Sequence, residues 1–165
     1  MNKSAKLIGV LIPSLYFLYY IFTYTEWHFI DSVNLIFHEA GHMIMFFLGD
    51  TIQALAGSLF QILIPLFLCI YFFLQRQKIS SSICLMWAGQ NFLNVSVYAK
   101  DAIVMQLPLL GGDAVHHDWN FVLSNLHLLQ KAEPIGSLFY GIGIILICVG
   151  IIFAVRYTLV KGDTQ

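Results

Sequence analysis

The chain has 165 residues, of which 59% are hydrophobic and only 10% are charged, against about 25% charged in an average soluble domain. This composition excludes an ordinary water-soluble globule, and a formal net charge of −1 without a basic cluster excludes the electrostatic surface of a nucleic-acid-binding protein. The long apolar runs instead predict an all-α, polytopic bundle of transmembrane helices in the lipid bilayer, formed as a single membrane domain over residues 1–165.

The apolar runs predict five spans, at residues 7–22, 29–48, 52–74, 82–99 and 134–160. Gly49, Asp50 and Thr51 predict a tight turn, so the second and third spans should pack as antiparallel neighbours unless part of residues 52–61 re-enters the membrane. In the last span, Ser137 and Gly141 have the small-xxx-small spacing that lets two helices approach closely. This spacing permits a homo-oligomer without requiring one.

The longest stretch between apolar runs covers residues 100–133, and polar loops of this kind tend to carry function. Its second part predicts a short amphipathic helix that lies near the membrane surface or is tucked against the bundle, with an apolar side formed by Phe121, Leu123 or Ser124, Leu126 and Leu128. The positive-inside rule leaves the membrane orientation open, because each side of the predicted topology holds four basic residues. These are Lys3, Lys6, Lys100 and Lys131 on one side, and Arg76, Lys78, Arg156 and Lys161 on the other.

The second predicted span contains an H-E-x-x-H pattern, with His38, Glu39 and His42 in an otherwise uncharged stretch. Histidines at positions i and i+4 share one face of a helix and can bind one Zn²⁺ ion from the same side, and the neighbouring Glu can act on a water molecule. Ionisable groups inside a membrane are costly and need compensation. A bound zinc ion would provide it, and the alternative is a buried polar knot in which these side chains bond to Asn91 or Asn94.

A transmembrane helix carrying the sequence H-E-A-G-H resembles the site-2-protease family of intramembrane zinc metalloproteases. The resemblance implies a core of a few spans, a zinc cofactor, His38 and His42 as metal ligands, and Glu39 as the catalytic base. It also implies a transmembrane protein or peptide as substrate and an Asp from a later loop as the third ligand. Residues 108–113 depart from the family pattern, because the Asp follows the two glycines instead of preceding one.

Four residues are candidates for the third metal ligand. Asp118 is the first choice, because it follows a Pro- and Gly-rich bend and opens a helix, although a plain helix N-cap is the alternative reading. His117 would give a three-histidine site, and Asp113 is more typical of a turn. Asp101 is either a ligand or a partner that orients a ligand histidine. The sequence leaves the choice among them open.

In the fourth predicted span, the amides of Asn91 and Asn94 could line a path for water or substrate. Two further functional classes remain open beside a protease. One is a non-catalytic membrane protein that binds metal or relays protons for transport, and the other is a pseudoprotease of the same fold. Glu39 separates a protease from the first class, because hydrolysis requires this carboxylate as a base and a binding site does not. A pseudoprotease would keep the packing but lack a competent third ligand.

Overall fold

The computed structural model describes residues 3–108 and 117–159, and all regular secondary structure in these two ranges is helical. Within them the α-helices are α1 (Lys3–Thr23), α2 (Phe29–Ile44), α3 (Asp50–Leu74), α4 (Lys78–Lys100), α5 (Asp118–Asn125) and α6 (Ala132–Leu159). Two short 3-10 turns, Phe46–Leu48 and Leu129–Lys131, precede α3 and α6. The predicted all-α class is confirmed.

Three segments are long and apolar enough to cross a membrane: Lys6–Thr23, Asp50–Leu74 and Leu129–Leu159. They correspond to the first, third and fifth predicted spans. The second and fourth predicted spans are also helical, as α2 and α4, but they do not meet the same criterion of length and hydropathy. α2 has 16 residues and is therefore only about 24 Å long, and α4 carries several amide and hydroxyl side chains.

Helix α4 lies at the centre of the bundle, where it packs against α1, α3 and α6. One apolar cluster joins α1, α4 and α6 around Tyr20, Met86 and Ile147. A second cluster joins α3, α4 and α5 around Val95 and Trp119. Because α4 has neighbours on several sides, its polar side chains are buried among protein groups.

A row of glycines on α6 forms its contact with α4. Gly136, Gly143 and Gly150 are spaced seven residues apart, and a Cβ at Gly143 would lie 2.7 Å from the carbonyl oxygen of Gly89 on α4. Seven residues make nearly two full turns, so these glycines share one face. The predicted Ser137/Gly141 pair is not part of this contact, because a Cβ at Gly141 would meet nothing within 4 Å.

Helices α2 and α3 pack as antiparallel neighbours, as their short connection predicts. Gly49, at the start of α3, has a positive φ of 89°, a conformation that glycine adopts without strain. A Cβ at Gly41 of α2 would collide with the carbonyl oxygen of Ala56, so the two backbones are in direct contact. α3 is one continuous helix from Asp50 to Leu74, without a re-entrant break in residues 52–61.

The short helix predicted in the loop is α5, and it is docked against the bundle. Its buried residues are Trp119, Val122 and Leu123, and the Trp119 indole donates a hydrogen bond of 3.0 Å to Ser58 Oγ on α3. Of the predicted apolar side, Leu123 is buried, but α5 ends at Asn125 and the side chains of Leu126 and Leu128 beyond it are exposed.

Substituting Gly143→Ala should lower the stability of the fold by roughly 1–3 kcal/mol, because the added methyl group must push α4 and α6 apart. Gly141→Ala is the matched control, since the same change on the same helix points into open space. Unfolding by SDS titration in detergent measures both variants. Equal stability of the two would contradict the glycine contact.

Candidate metal centre

The side chains of His38, His42 and Asp118 meet at one point between α2, α3 and α5. Asp118 Oδ2 lies 3.0 Å from His38 Nε2 and 3.2 Å from His42 Nε2. One potential ligand atom from each residue falls within 4.8 Å of the others, and His38 is buried. Two imidazoles and a carboxylate are the three protein ligands that many catalytic zinc sites use.

The second ring nitrogen of each histidine points at a carbonyl oxygen on α3. His42 Nδ1 lies 2.7 Å from the backbone oxygen of Gln53, and His38 Nδ1 lies 2.9 Å from Oε1 of the Gln61 side chain. A backbone carbonyl can only accept, so Nδ1 of His42 carries a proton and donates it. This leaves Nε2 of His42 as the ligand atom, the arrangement typical of metal-bound histidines.

Tyr98 on α4 holds Asp118 in place. Its hydroxyl accepts a hydrogen bond of 3.1 Å from the backbone N–H of Asp118 and donates one of 3.3 Å to Oδ2 of the same residue. Burial raises the pKa of the Asp118 carboxyl, but hydrogen bonds and charge from His38 and His42 outweigh burial and bring the pKa to about 2. Asp118 is therefore an ionised, anionic group at neutral pH.

His117 and Asp101 form a separate pair that fixes the start of α5. His117 Nδ1 accepts a hydrogen bond from the backbone N–H of Asn120, so His117, and not Asp118, is the N-cap of the helix. Its Nε2 donates to Asp101 Oδ2 over 3.2 Å. Neither residue reaches the two histidines of α2, and Asp113 lies outside the described residues. Among the described alternatives, only Asp118 joins His38 and His42.

Gly57 on α3 leaves space beside the two ligand nitrogens. A Cβ at this position would lie 2.5 Å from His38 Nε2 and 2.6 Å from His42 Nε2. Any side chain here would therefore compete with an ion for the same volume. The donor set and this space together fit a zinc ion held by His38, His42 and Asp118.

Glu39 opens into the same cavity as the three candidate ligands. The cavity has a volume of about 760 Å³, and Trp27 and Pro108 are among the residues that line it. Glu39 is exposed, and its carboxylate has no hydrogen-bond partner within the described ranges. A carboxylate without a structural partner is free to exchange protons with water in the cavity.

Of the two asparagines predicted to line a path, only Asn94 borders the cavity. Asn91 is fully buried on another side of α4, where its amide donates to the Trp87 carbonyl oxygen. The predicted polar knot also takes a different form, because neither amide bonds directly to the histidines or to Glu39. Asn94 instead accepts a hydrogen bond from Gln61, which contacts His38.

Four residues of the site were missed in the sequence: Gln53, Gly57, Gln61 and Tyr98. Gln61 is an amide within an apolar run, and this signal could have identified it. Gln53 acts through its backbone oxygen, so its side chain gives no indication of the role.

Comparison with protein-family models, with curated proteins and with solved structures finds no match to this chain. The interpretation of the site therefore depends on the geometry of its own residues.

His117→Ala should leave the zinc content of the purified protein unchanged and lower its stability by roughly 1–3 kcal/mol, because it removes a helix cap and a hydrogen bond to Asp101 but no candidate ligand. Asp118→Ala should abolish zinc retention. Elemental analysis and detergent unfolding of both variants measure these effects. Loss of zinc from folded His117→Ala would assign the third ligand to His117 instead.

Gly57→Ala should reduce zinc retention strongly while the helical fold is kept, because the methyl group occupies the space between the ligand nitrogens. Gly9→Ala is the control, since a Cβ at Gly9 on α1 meets nothing within 4 Å. Elemental analysis and circular dichroism of the two variants provide the measurement. Normal zinc content in Gly57→Ala would place the ion elsewhere.

Proposed function

We propose that this protein is an intramembrane zinc metalloprotease that hydrolyses peptide bonds of membrane-protein substrates. The observation that supports this function best is the position of Glu39, which opens into the same cavity as His38, His42 and Asp118. Hydrolysis requires a carboxylate that can accept a proton from water in this cavity, whereas a site that only stored or passed metal does not.

In the proposed reaction, Zn²⁺ supplies a Lewis acid that increases the acidity of water and polarises a carbonyl group. His38, His42 and Asp118 hold the ion. Glu39 accepts a proton from the attacking water and passes it to the nitrogen of the leaving amine when the peptide bond breaks. The cavity is large enough for an extended peptide segment, and Asn94 offers an amide at its wall.

The proposed location is an integral, multi-pass position in a lipid bilayer, with all five long helices embedded. Large apolar side chains face outward on the helices of spanning length, among them Leu15, Phe22, Phe67, Ile145 and Ile152. Three polar residues of α2 and α4, Asp31, Asn34 and Gln90, are buried inside the bundle. Polar groups inside and apolar groups outside allow α2 and α4 to be embedded although their composition is mixed.

Glu39→Gln separates hydrolysis from metal binding. We expect this variant to retain about one zinc per chain, like the wild type, while hydrolysis falls by roughly 10²–10⁴-fold because the proton acceptor is lost. Sequencing of protein N-termini in membranes from cells expressing wild type or Glu39→Gln measures hydrolysis. New termini within apolar segments should occur only with the wild type.

His38→Ala and Asp118→Ala are the matched variants for the metal and should lose both zinc and the new termini. Folded wild-type protein that binds no zinc after reconstitution would contradict the whole proposal. Zinc binding with identical termini in wild type and Glu39→Gln would instead identify a non-catalytic metal-binding membrane protein or a pseudoprotease.

A further inference from the structure

A row of amide side chains connects His38 with a buried carboxylate at the start of α2. The Asn94 amide donates to Asp31 Oδ1 over 3.1 Å, and the Gln61 amide donates to Asn94 Oδ1 over 2.9 Å. Gln61 Oε1 then lies 2.9 Å from His38 Nδ1. Asp31 and His38 are therefore linked by three consecutive hydrogen bonds that run through α4 and α3.

The direction of every bond in this row follows from its carboxylate end. Asp31 is acceptor-only when ionised, and its oxygens also receive the Tyr20 hydroxyl and the backbone N–H of His28, each over 2.8 Å. An amide has one accepting and one donating end. Asn94 must turn its NH₂ group toward Asp31, so its oxygen faces Gln61, and Gln61 in turn presents its oxygen to His38.

We propose that Asp31 acts through Asn94 and Gln61 as a positioning relay that keeps a proton on Nδ1 of His38 and so reserves Nε2 for the metal. The inference rests on the proposed function for its purpose, since a bound metal requires the lone pair of Nε2. The position of the proton is a property of the metal-free protein and can be measured by itself.

His38 needs this relay and His42 does not. The acceptor for His42 is a backbone oxygen within α3, which cannot rotate. The acceptor for His38 is a side-chain amide that could present either its oxygen or its NH₂ group. Without Asn94, Gln61 could turn over and donate a hydrogen bond from its NH₂ group to the lone pair of Nδ1, and the ring proton would then move to Nε2.

A second branch of the same cluster provides the control. The Trp87 indole donates to Asn34 Oδ1, the Asn34 amide donates to Gln90 Oε1, and the Gln90 amide donates to Asp31 Oδ1. This branch also ends at Asp31, but it does not lead to His38. Asn34→Ala and Asn94→Ala therefore remove the same chemical group from one buried cluster, and only Asn94→Ala interrupts the relay.

The first test locates the ring proton of His38 by ¹⁵N NMR of histidine-labelled, metal-free protein in detergent. All variants in this test also carry Asp118→Ala. Without the Asp118 carboxylate, His38 Nε2 has no acceptor, so the ring is neutral under the conditions used. In this background we expect the proton on Nδ1. Adding Asn94→Ala should shift it toward Nε2, whereas adding Asn34→Ala should leave it on Nδ1. Asn94→Leu, which keeps the number and branching of the non-hydrogen side-chain atoms, replaces Asn94→Ala if truncation unfolds the protein.

The second test measures zinc affinity with Asp118 intact. Asn94→Ala should weaken binding by roughly 10–100-fold, the usual effect of losing a partner that orients a metal-bound histidine. The double variant Asn94→Ala with Gln61→Glu should regain most of this affinity, because a carboxylate accepts from His38 whichever way it turns. A purely structural role for Asn94 predicts no such recovery.

An unchanged proton position in folded Asn94→Ala or Asn94→Leu would overturn the relay, as would an equal shift in Asn34→Ala. Failure of the proposed function gives a different result. Wild-type protein would then bind no zinc, while the NMR measurement would still report where the ring proton of His38 lies.

Discussion

The direct backbone contact between α2 and α3 is the constraint on which the rest of the site depends. Gly41 lets the two helices touch, since any side chain there would collide with the Ala56 carbonyl oxygen. At this separation α3 supplies acceptors for both ring nitrogens that face it, through the Gln53 backbone and the Gln61 side chain. It also leaves open space at Gly57. One helix thus carries the two histidines and its neighbour fixes how they point.

The sequence indicates the helices and the histidine pair well, because both depend on local periodicity. The i, i+4 spacing of His38 and His42 places them on one face in any α-helix. Asp118 was also predicted as the ligand because it opens a helix, and it is the first residue of α5, whereas the alternative reading of Asp118 as the N-cap is wrong because the cap is His117. The choice between Asp118 and His117 as the third ligand depends on contacts at the end of α4. Tyr98 bonds to Asp118, and Asp101 bonds to His117. No spacing rule encodes those contacts.

Other features depend on which face of a helix meets its neighbour, and a single sequence does not specify this for a helix that is apolar on all sides. The contact of α6 with α4 uses Gly136, Gly143 and Gly150, and the Ser137/Gly141 pair suggested by spacing is not part of it. The positions of Asn91 and Asn94 also depend on which face of α4 meets which neighbour. They lie three residues apart on α4, yet one borders the cavity and the other is enclosed.

The docking of α5 gives the site an order of assembly. His38 and Asp118 are 80 residues apart in the chain, and Asp118 is carried by an eight-residue helix that is too short to be stable alone. Its position depends on the bonds of Trp119 to Ser58 and of Asn120 to the Ala102 carbonyl oxygen. The three groups therefore come together only after most of the chain has been synthesised and packed. A partly folded chain has the histidine pair but not the carboxylate.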